Sequence, residues 1–138
     1  MPHDLVADTS MIAAFLLREP QGEKFDSVLL QVIAGTMRLR VPALFSFEML
    51  NVLLMAERQK RITPAQQNQL ITEWETIPIN EHPLLDSLAR RRILTHADRY
   101  NLTAYDATYL ELAEGLNASF LSLNTELLKL KGTLDWIL

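Results

Sequence analysis

Three carboxylates and one amide stand where apolar strand-like runs give way to helix-like ones. Asp8 follows Leu5-Val6-Ala7, and Glu48 lies inside Leu44-Phe45-Ser46-Phe47-Glu48-Met49-Leu50. Asp106 lies inside Thr103-Ala104-Tyr105-Asp106-Ala107-Thr108-Tyr109-Leu110, and Asn124 follows Phe120-Leu121-Ser122-Leu123. Carboxylates amid so much apolar sequence are costly to bury unless something neutralises them. A divalent cation is the simplest candidate, so metal-dependent chemistry is the leading reading. Mg²⁺ is hard, prefers oxygen and keeps several waters. Asp8, Glu48 and Asp106 would supply its negative charge. Without it they would repel one another, and at least one would tend to take up a proton.

Each of these residues also has a purely structural reading. Asp8 can cap a helix starting near Met11. Glu48 can pair with a buried Arg or Lys. Thr103-x-x-Asp106 fits a capping box, and Asn124 can cap a helix from Thr125 onward. Only the joint pattern lifts the chemical reading above these. Around it, Thr9 and Ser10 offer hydroxyls that could hold a water or a phosphate oxygen, or simply cap a first turn. Asn51 is one turn beyond Glu48 on the same helical face and could orient it. Glu126 could stand in for the charge that Asn124 lacks.

The elements that must position these groups read as alternating strands and helices. Leu5 to Asp8 is a short buried strand, and Met11 to Leu17 a helix. Glu23 to Ala34 carries Phe25, Val28, Leu29, Val32 and Ile33 at helical spacing, with Gly35 as a stop. Leu39 to Val41 is a second strand. Ala43 to Gln59 is the clearest helix, with Leu44, Phe47, Leu50, Val52 and Leu54 as its apolar face. Thr63-Pro64-Ala65-Gln66 opens another by a capping box with Pro at the first position, running to about Glu75. Ile77 to Ile79 is a third strand. Leu84 to Tyr100 and Thr103 to Glu114 are helical, the latter ending at Gly115. Ser119 to Leu123 is a fourth strand, Thr125 to Lys131 a last helix, and Trp136-Ile137-Leu138 a fifth, terminal strand. Such alternation implies a mostly parallel sheet covered on both faces. Sites in such sheets form at the carboxyl ends of the strands, so all four polar residues could point at one cleft.

Bulk properties narrow the classes. The 138 residues suit a single domain, 1–138, with a sizeable core. There is no Cys, which excludes disulfides, thiolate metal sites and cysteine nucleophiles and suits a reducing cytoplasm. Asp4 and Asp8 stand where a signal peptide would be basic, and no apolar run approaches a membrane span of roughly 18 residues. The net charge of −4 argues mildly against a nucleic-acid binder. Arg38 with Arg40, Arg58-Gln59-Lys60-Arg61 and Arg90-Arg91-Arg92 read as solvated faces rather than a phosphate track. His3, His82 and His96 are scattered without metal-ligand spacing, and no GxSxG, P-loop or GxGxxG occurs. Tyr105, Tyr109, Trp74 and Trp136 could stack on bases but read as core. A phosphoacceptor domain would need an upstream acidic pair and a well-placed Lys, which the chain lacks.

The motifs together resemble the PIN-domain ribonucleases, specifically VapC-type toxins of bacterial toxin–antitoxin pairs. Val6-Ala7-Asp8-Thr9-Ser10 resembles the family's opening strand with Asp-x-Ser. Val41-Pro42-Ala43-Leu44 leading to Glu48 and Asn51-Val52-Leu53-Leu54 resembles its second motif. Leu102 to Ala113, around Asp106, resembles its third and is the most specific. Phe120-Leu121-Ser122-Leu123-Asn124 resembles its fourth, where the family usually has Asp. Order, spacing and length agree over almost the whole chain. The resemblance implies an α/β fold, a three-layer α/β/α sandwich around a parallel sheet, and a metal-dependent endoribonuclease. Asp8, Glu48 and Asp106 would hold Mg²⁺ or Mn²⁺, with Asn124 completing the catalytic set. In-line attack of a water would release a 3′-hydroxyl and a 5′-phosphate. It also implies a homodimer, silenced by a small antitoxin lying over the cleft. Asn124 leaves open a weakened member acting as an RNA- or antitoxin-binding module.

Overall fold

The structure is a computed structural model that describes residues 2–83 and 86–138. Four strands form one all-parallel sheet: β1 (His3–Ala7), β2 (Met37–Pro42), β3 (Ile79–His82) and β4 (Ser119–Leu121), in the order β3-β2-β1-β4. Between β1 and β2 come α1 (Thr9–Leu16), a 3₁₀ turn (Pro20–Glu23) and α2 (Lys24–Ala34). Then α3 (Leu44–Arg58) and α4 (Pro64–Thr76) precede β3, and α5 (Ser87–Tyr100) and α6 (Ala104–Leu116) precede β4. A single turn, α7 (Thr125–Leu128), follows.

The strand order determines where the site sits. The chain steps from β1 to β2 to β3 in one direction, then jumps back across the sheet to β4 on the other side of β1. Right-handed crossovers run in opposite directions put their helices on opposite faces. Helices α1, α2, α3 and α4 accordingly pack among themselves, while α6 lies against β1 and β2 with α5 behind it. The result is the three-layer α/β/α sandwich. The direction reverses between β1 and β4, and the space beyond the strand ends at such a reversal is where sheets of this kind form their binding crevice.

Local chemistry explains most boundaries. Asp8 caps α1, accepting from the Met11 amide at 3.3 Å. Gly35 ends α2 at φ 80, a left-handed conformation that costs glycine little. Thr63 and Gln66 close the expected capping box on α4. Asp86 caps α5 through the Ala89 amide, so the expected start at Leu84 moves to Ser87; Leu84 and Leu85 lie outside the described residues. The expected stop at Gly115 is two residues early: α6 runs through it to Leu116, and Asn117 takes the left-handed cap at φ 52. The third strand is Ile79–His82, shifted from Ile77–Ile79, because α4 continues to Thr76 and Ile77 is its cap. The fourth strand stops at Leu121, and the expected fifth is one bridge, Phe120 to Ile137.

The largest departure is the buried face of α3. Phe45, Met49, Leu53 and Ala56 enter the core, whereas Phe47 is 73% exposed and Leu50 and Leu54 also face out. Phe45 stacks edge-on against Trp74 of α4 at 5.7 Å, which anchors α3 by that side. On α2, Phe25, Val28 and Val32 are buried as expected, but Ile33 is exposed beside Leu30.

Candidate metal centre

The site is assembled from four segments that meet at the β1–β4 crevice. The Asp8 amide donates to the Leu121 carbonyl at 3.3 Å, which aligns the ends of β1 and β4. The Asp8 side chain, in a residue only 5% exposed, is then held by two serines. Ser10 Oγ donates to Oδ1 at 2.6 Å and Ser122 Oγ donates to Oδ2 at 2.5 Å. Each serine also accepts a backbone amide from the strap after β4, Leu123 on Ser10 and Asn124 on Ser122. Burial raises the Asp8 carboxyl pKa above the ordinary carboxylate range, and the nearby Asp106 charge adds to this. The hydroxyls and the Met11 amide partly counter it.

Asp106 sits in the first turn of α6, half-buried. Thr103 caps that helix by accepting the Asp106 amide at 3.1 Å, which leaves the Asp106 carboxylate for the crevice. There Asn124 Nδ2 donates to Asp106 Oδ2 at 3.2 Å. The Asn124 carbonyl caps α7 by accepting the Glu126 amide at 2.9 Å. Both ends of the Asn124 amide are thus committed, and its oxygen points to the helix. Glu126 is exposed and pairs with Lys129 at 2.9 Å.

Glu48 enters from the second turn of α3. Among the described residues no guanidinium or ammonium pairs with it; its Oε1 accepts the Tyr109 hydroxyl at 2.6 Å and the Thr9 hydroxyl at 3.0 Å. Thr9 and Tyr109 are themselves 2.9 Å apart. Burial and the Glu48 charge push the Tyr109 phenol pKa far up, so it remains a proton donor. Asn51 is exposed and makes no hydrogen bond to Glu48.

Sequence reasoning passed over Ser122 and Tyr109. Ser122 looks like one more strand residue, and Tyr109 like core, which its ring is. Their hydroxyls bond partners 114 and 100 positions away, and no local pattern encodes such contacts. Tyr105, expected in the core, is exposed. The histidines stand away from the site. His96 is buried against Glu111 and Glu114, His82 lies by Arg40, and His3 is exposed. In the basic groups singled out in the sequence, Arg38 and Arg40 pair with Asp4, Arg61 with Glu19 and Arg92 with Glu111.

Among the described residues, no three His, Cys, Asp or Glu side chains come together closely enough to hold an ion unaided. Nor, among them, does a Lys, Arg or His pair with Asp8, Glu48 or Asp106. The crevice therefore holds uncompensated negative charge on an all-oxygen donor set. That suits a hard dication that retains waters and needs few protein ligands. Asp8 and Asp106 are the pair close enough to sense each other's charge, with Glu48 joined to Asp8 through the neighbouring Thr9.

The chain is similar to known proteins. Two relatives are the VapC ribonuclease Mb0985 of Mycobacterium bovis and the ribonuclease VapC9 of Mycobacterium tuberculosis. Each is 29% identical over 123 residues, spanning 89% of this chain and 87% of the relative. The crystal structure of PAE2754 from Pyrobaculum aerophilum shares the fold, with a TM-score of 0.61 and 20% identity over 94% of this chain and 86% of that one. The sequence model of the PIN domain matches residues 5–132, nearly the whole chain and every segment that lines the crevice, and the chain belongs to the PIN-domain family.

Proposed function

We propose that this protein is a Mg²⁺- or Mn²⁺-dependent endoribonuclease toxin that hydrolyses RNA phosphodiester bonds. The observation that carries this reading is the buried Asp8 carboxylate, hydroxyl-clamped beside Asp106 with no cationic side chain to neutralise either among the described residues. The relatives named as ribonucleases support it. Asp8 and Asp106 hold the cation, Glu48 completes its surroundings, and Asn124 orients Asp106. When bound, the ion supplies polarisation of the scissile phosphodiester and a lowered pKa for an attacking water. The serines keep both Asp8 oxygens aimed while the charge at the crevice changes. A crevice carboxylate accepts the proton of the attacking water, and in-line displacement leaves a 3′-hydroxyl and a 5′-phosphate.

The test is cleavage of total bacterial RNA by the purified protein. Cutting is expected with Mg²⁺ or Mn²⁺, none with EDTA, and none from Asp8→Asn. Absence of cleavage of transfer, ribosomal and messenger RNA alike would sink the assignment.

Two partners complete the proposal. Exposed Leu30 and Ile33 on α2 and Phe47, Leu50 and Leu54 on α3 supply apolar surface for a small antitoxin and for a second copy. A basic antitoxin tail suits the acidic crevice, with Arg taking the place of the ion's charge.

A second reading, a weakened member that binds RNA or antitoxin, is favoured by one observation. The Asn124 carbonyl is spent on capping α7 and its nitrogen faces Asp106, so it adds neither charge nor a free oxygen.

A further inference from the structure

We infer that Tyr109, together with Thr9, is a positioning residue for Glu48, and that this hydroxyl pair aims Glu48 at the metal site; the inference rests on the nuclease reading above. A glutamate has three side-chain torsions, and one on a half-exposed helical turn would sample several rotamers. Here it cannot swing freely. Both hydroxyls converge on Oε1, from α1 and from α6, while Glu48 itself rides on α3. Three elements therefore meet in one ring of hydrogen bonds. The Tyr109 contact, at 2.6 Å, has the length of an O–H···O⁻ bond to an ionised carboxylate.

The proton count indicates how the ring works. Two hydroxyl protons serve three short contacts, so Tyr109 donates to Glu48 and Thr9 donates either to Tyr109 or to Glu48. A chain from Thr9 through Tyr109 to Glu48 strengthens each link by polarisation. No donor among the described residues bonds Oε2, so the ring occupies one carboxylate oxygen and leaves the other without a protein hydrogen bond. Thr9 is the residue after Asp8, so the same contact links the Glu48 side chain to the segment that carries Asp8. Tyr109 is 1% exposed and its ring stacks on Phe120 at 6.4 Å, 5° from parallel. It cannot touch RNA, and removing its oxygen alone preserves the packing.

The experiment titrates Mn²⁺ alone into wild type, Tyr109→Phe, Thr9→Val, Glu48→Gln and the double variant Tyr109→Phe/Glu48→Gln. Tyr100→Phe, which is remote from the crevice, is the control. In parallel, kcat and KM are measured on an RNA that wild type cuts. Tyr109→Phe should weaken Mn²⁺ binding and lower kcat by about tenfold each, the usual scale for a charge-assisted hydrogen bond, with KM unchanged. Tyr100→Phe should match wild type. The Tyr109→Phe effect should vanish in the Glu48→Gln background, since a residue acting through Glu48 has nothing left to aim; losses that simply multiply overturn the inference. Wild-type Mn²⁺ affinity in Tyr109→Phe, with Glu48→Gln impaired, overturns it too and leaves the nuclease reading standing. Glu48→Gln indistinguishable from wild type removes Glu48 from the site and the inference with it. Should Tyr109→Phe fail to fold by circular dichroism, Thr9→Val and its hydroxyl-restoring counterpart Thr9→Ser decide: loss with Val and rescue with Ser supports the inference, and no loss with Val overturns it.

Discussion

Asp8 ends β1 with its carboxylate almost out of water, and burial lifts its pKa above the ordinary range. A folded-state pKa above the unfolded one means that the group favours folding only while protonated. That contribution is present at low pH and lost as pH rises through the raised value. Above the unfolded-chain pKa, Asp8 therefore costs the metal-free fold stability. Asp8→Asn keeps the helix cap and removes the charge, so its metal-free Tm at pH 7 should exceed wild type by roughly 2–5 °C while cleavage disappears. The gain should shrink as pH falls, and a lower Tm at pH 7 would refute it. Mn²⁺ should raise the Tm of wild type and not that of Asp8→Asn, because an ion that binds only the folded state stabilises it by mass action. Asn124→Asp reverses the argument. Aspartate still caps α7, but it sets a second carboxylate against Asp106 where the amide now donates a hydrogen bond. Metal-free Tm should drop, Mn²⁺ stoichiometry should rise from one per chain toward two, and cleavage should increase roughly tenfold. Calorimetry that still counts one ion would show that the fourth position holds no metal.

Elements bring these residues together, and α1 matters most because Asp8, Thr9 and Ser10 all stand at its start. Its other side is pinned by Gly22 of the 3₁₀ turn, where an added Cβ would lie 2.4 Å from the backbone carbon of Ala14. Backbone cannot yield as a side-chain tip can. Gly22→Ala should therefore push the turn off α1 and cost about 1–3 kcal/mol, read from chemical denaturation, with Mn²⁺ affinity falling as α1 shifts. Equal stability would mean that the turn moves without taking α1 with it. The alternation of elements and the capping chemistry were legible in the sequence, since Thr63-Pro64-Ala65-Gln66 and Gly35 act through neighbours. The buried face of α3 was not. Phe45, Met49 and Leu53 form one apolar stripe and Phe47, Leu50 and Leu54 another, so periodicity does not choose between them. The choice is made by Trp74 on α4, a tertiary partner. The acids stand out in the sequence because each motif is local. Thr9 and Ser10 stand out with them, whereas Ser122 and Tyr109 do not, because they reach the acids through contacts that only the β1–β4 junction and the α6 packing create.

At the scale of the whole molecule, the homodimer proposed above would put part of the exposed stripe on α3 to use. Leu44 and Phe47 on α3, Leu94 on α5 and Tyr105 on α6 line a groove of about 510 Å³, with Arg90 among its lining residues. Phe47 is 73% and Leu94 66% exposed, and a lone soluble domain rarely leaves such large apolar groups together in water. The groove opens one residue from Glu48 on one wall and one residue from Asp106 on the other. A second copy seated there would cover Phe47 and Leu94, the arrangement that the proposed homodimer calls for. Phe47 contributes nothing to the core, so Phe47→Glu should leave the circular dichroism spectrum and Tm near wild type. It should weaken self-association by about thirtyfold or more, as for an interfacial aromatic hot spot. Sedimentation equilibrium over a concentration series reads the difference. A wild type that stays monomeric throughout would show that the groove belongs to another partner, and an unchanged dimer in Phe47→Glu would move the interface elsewhere on the surface.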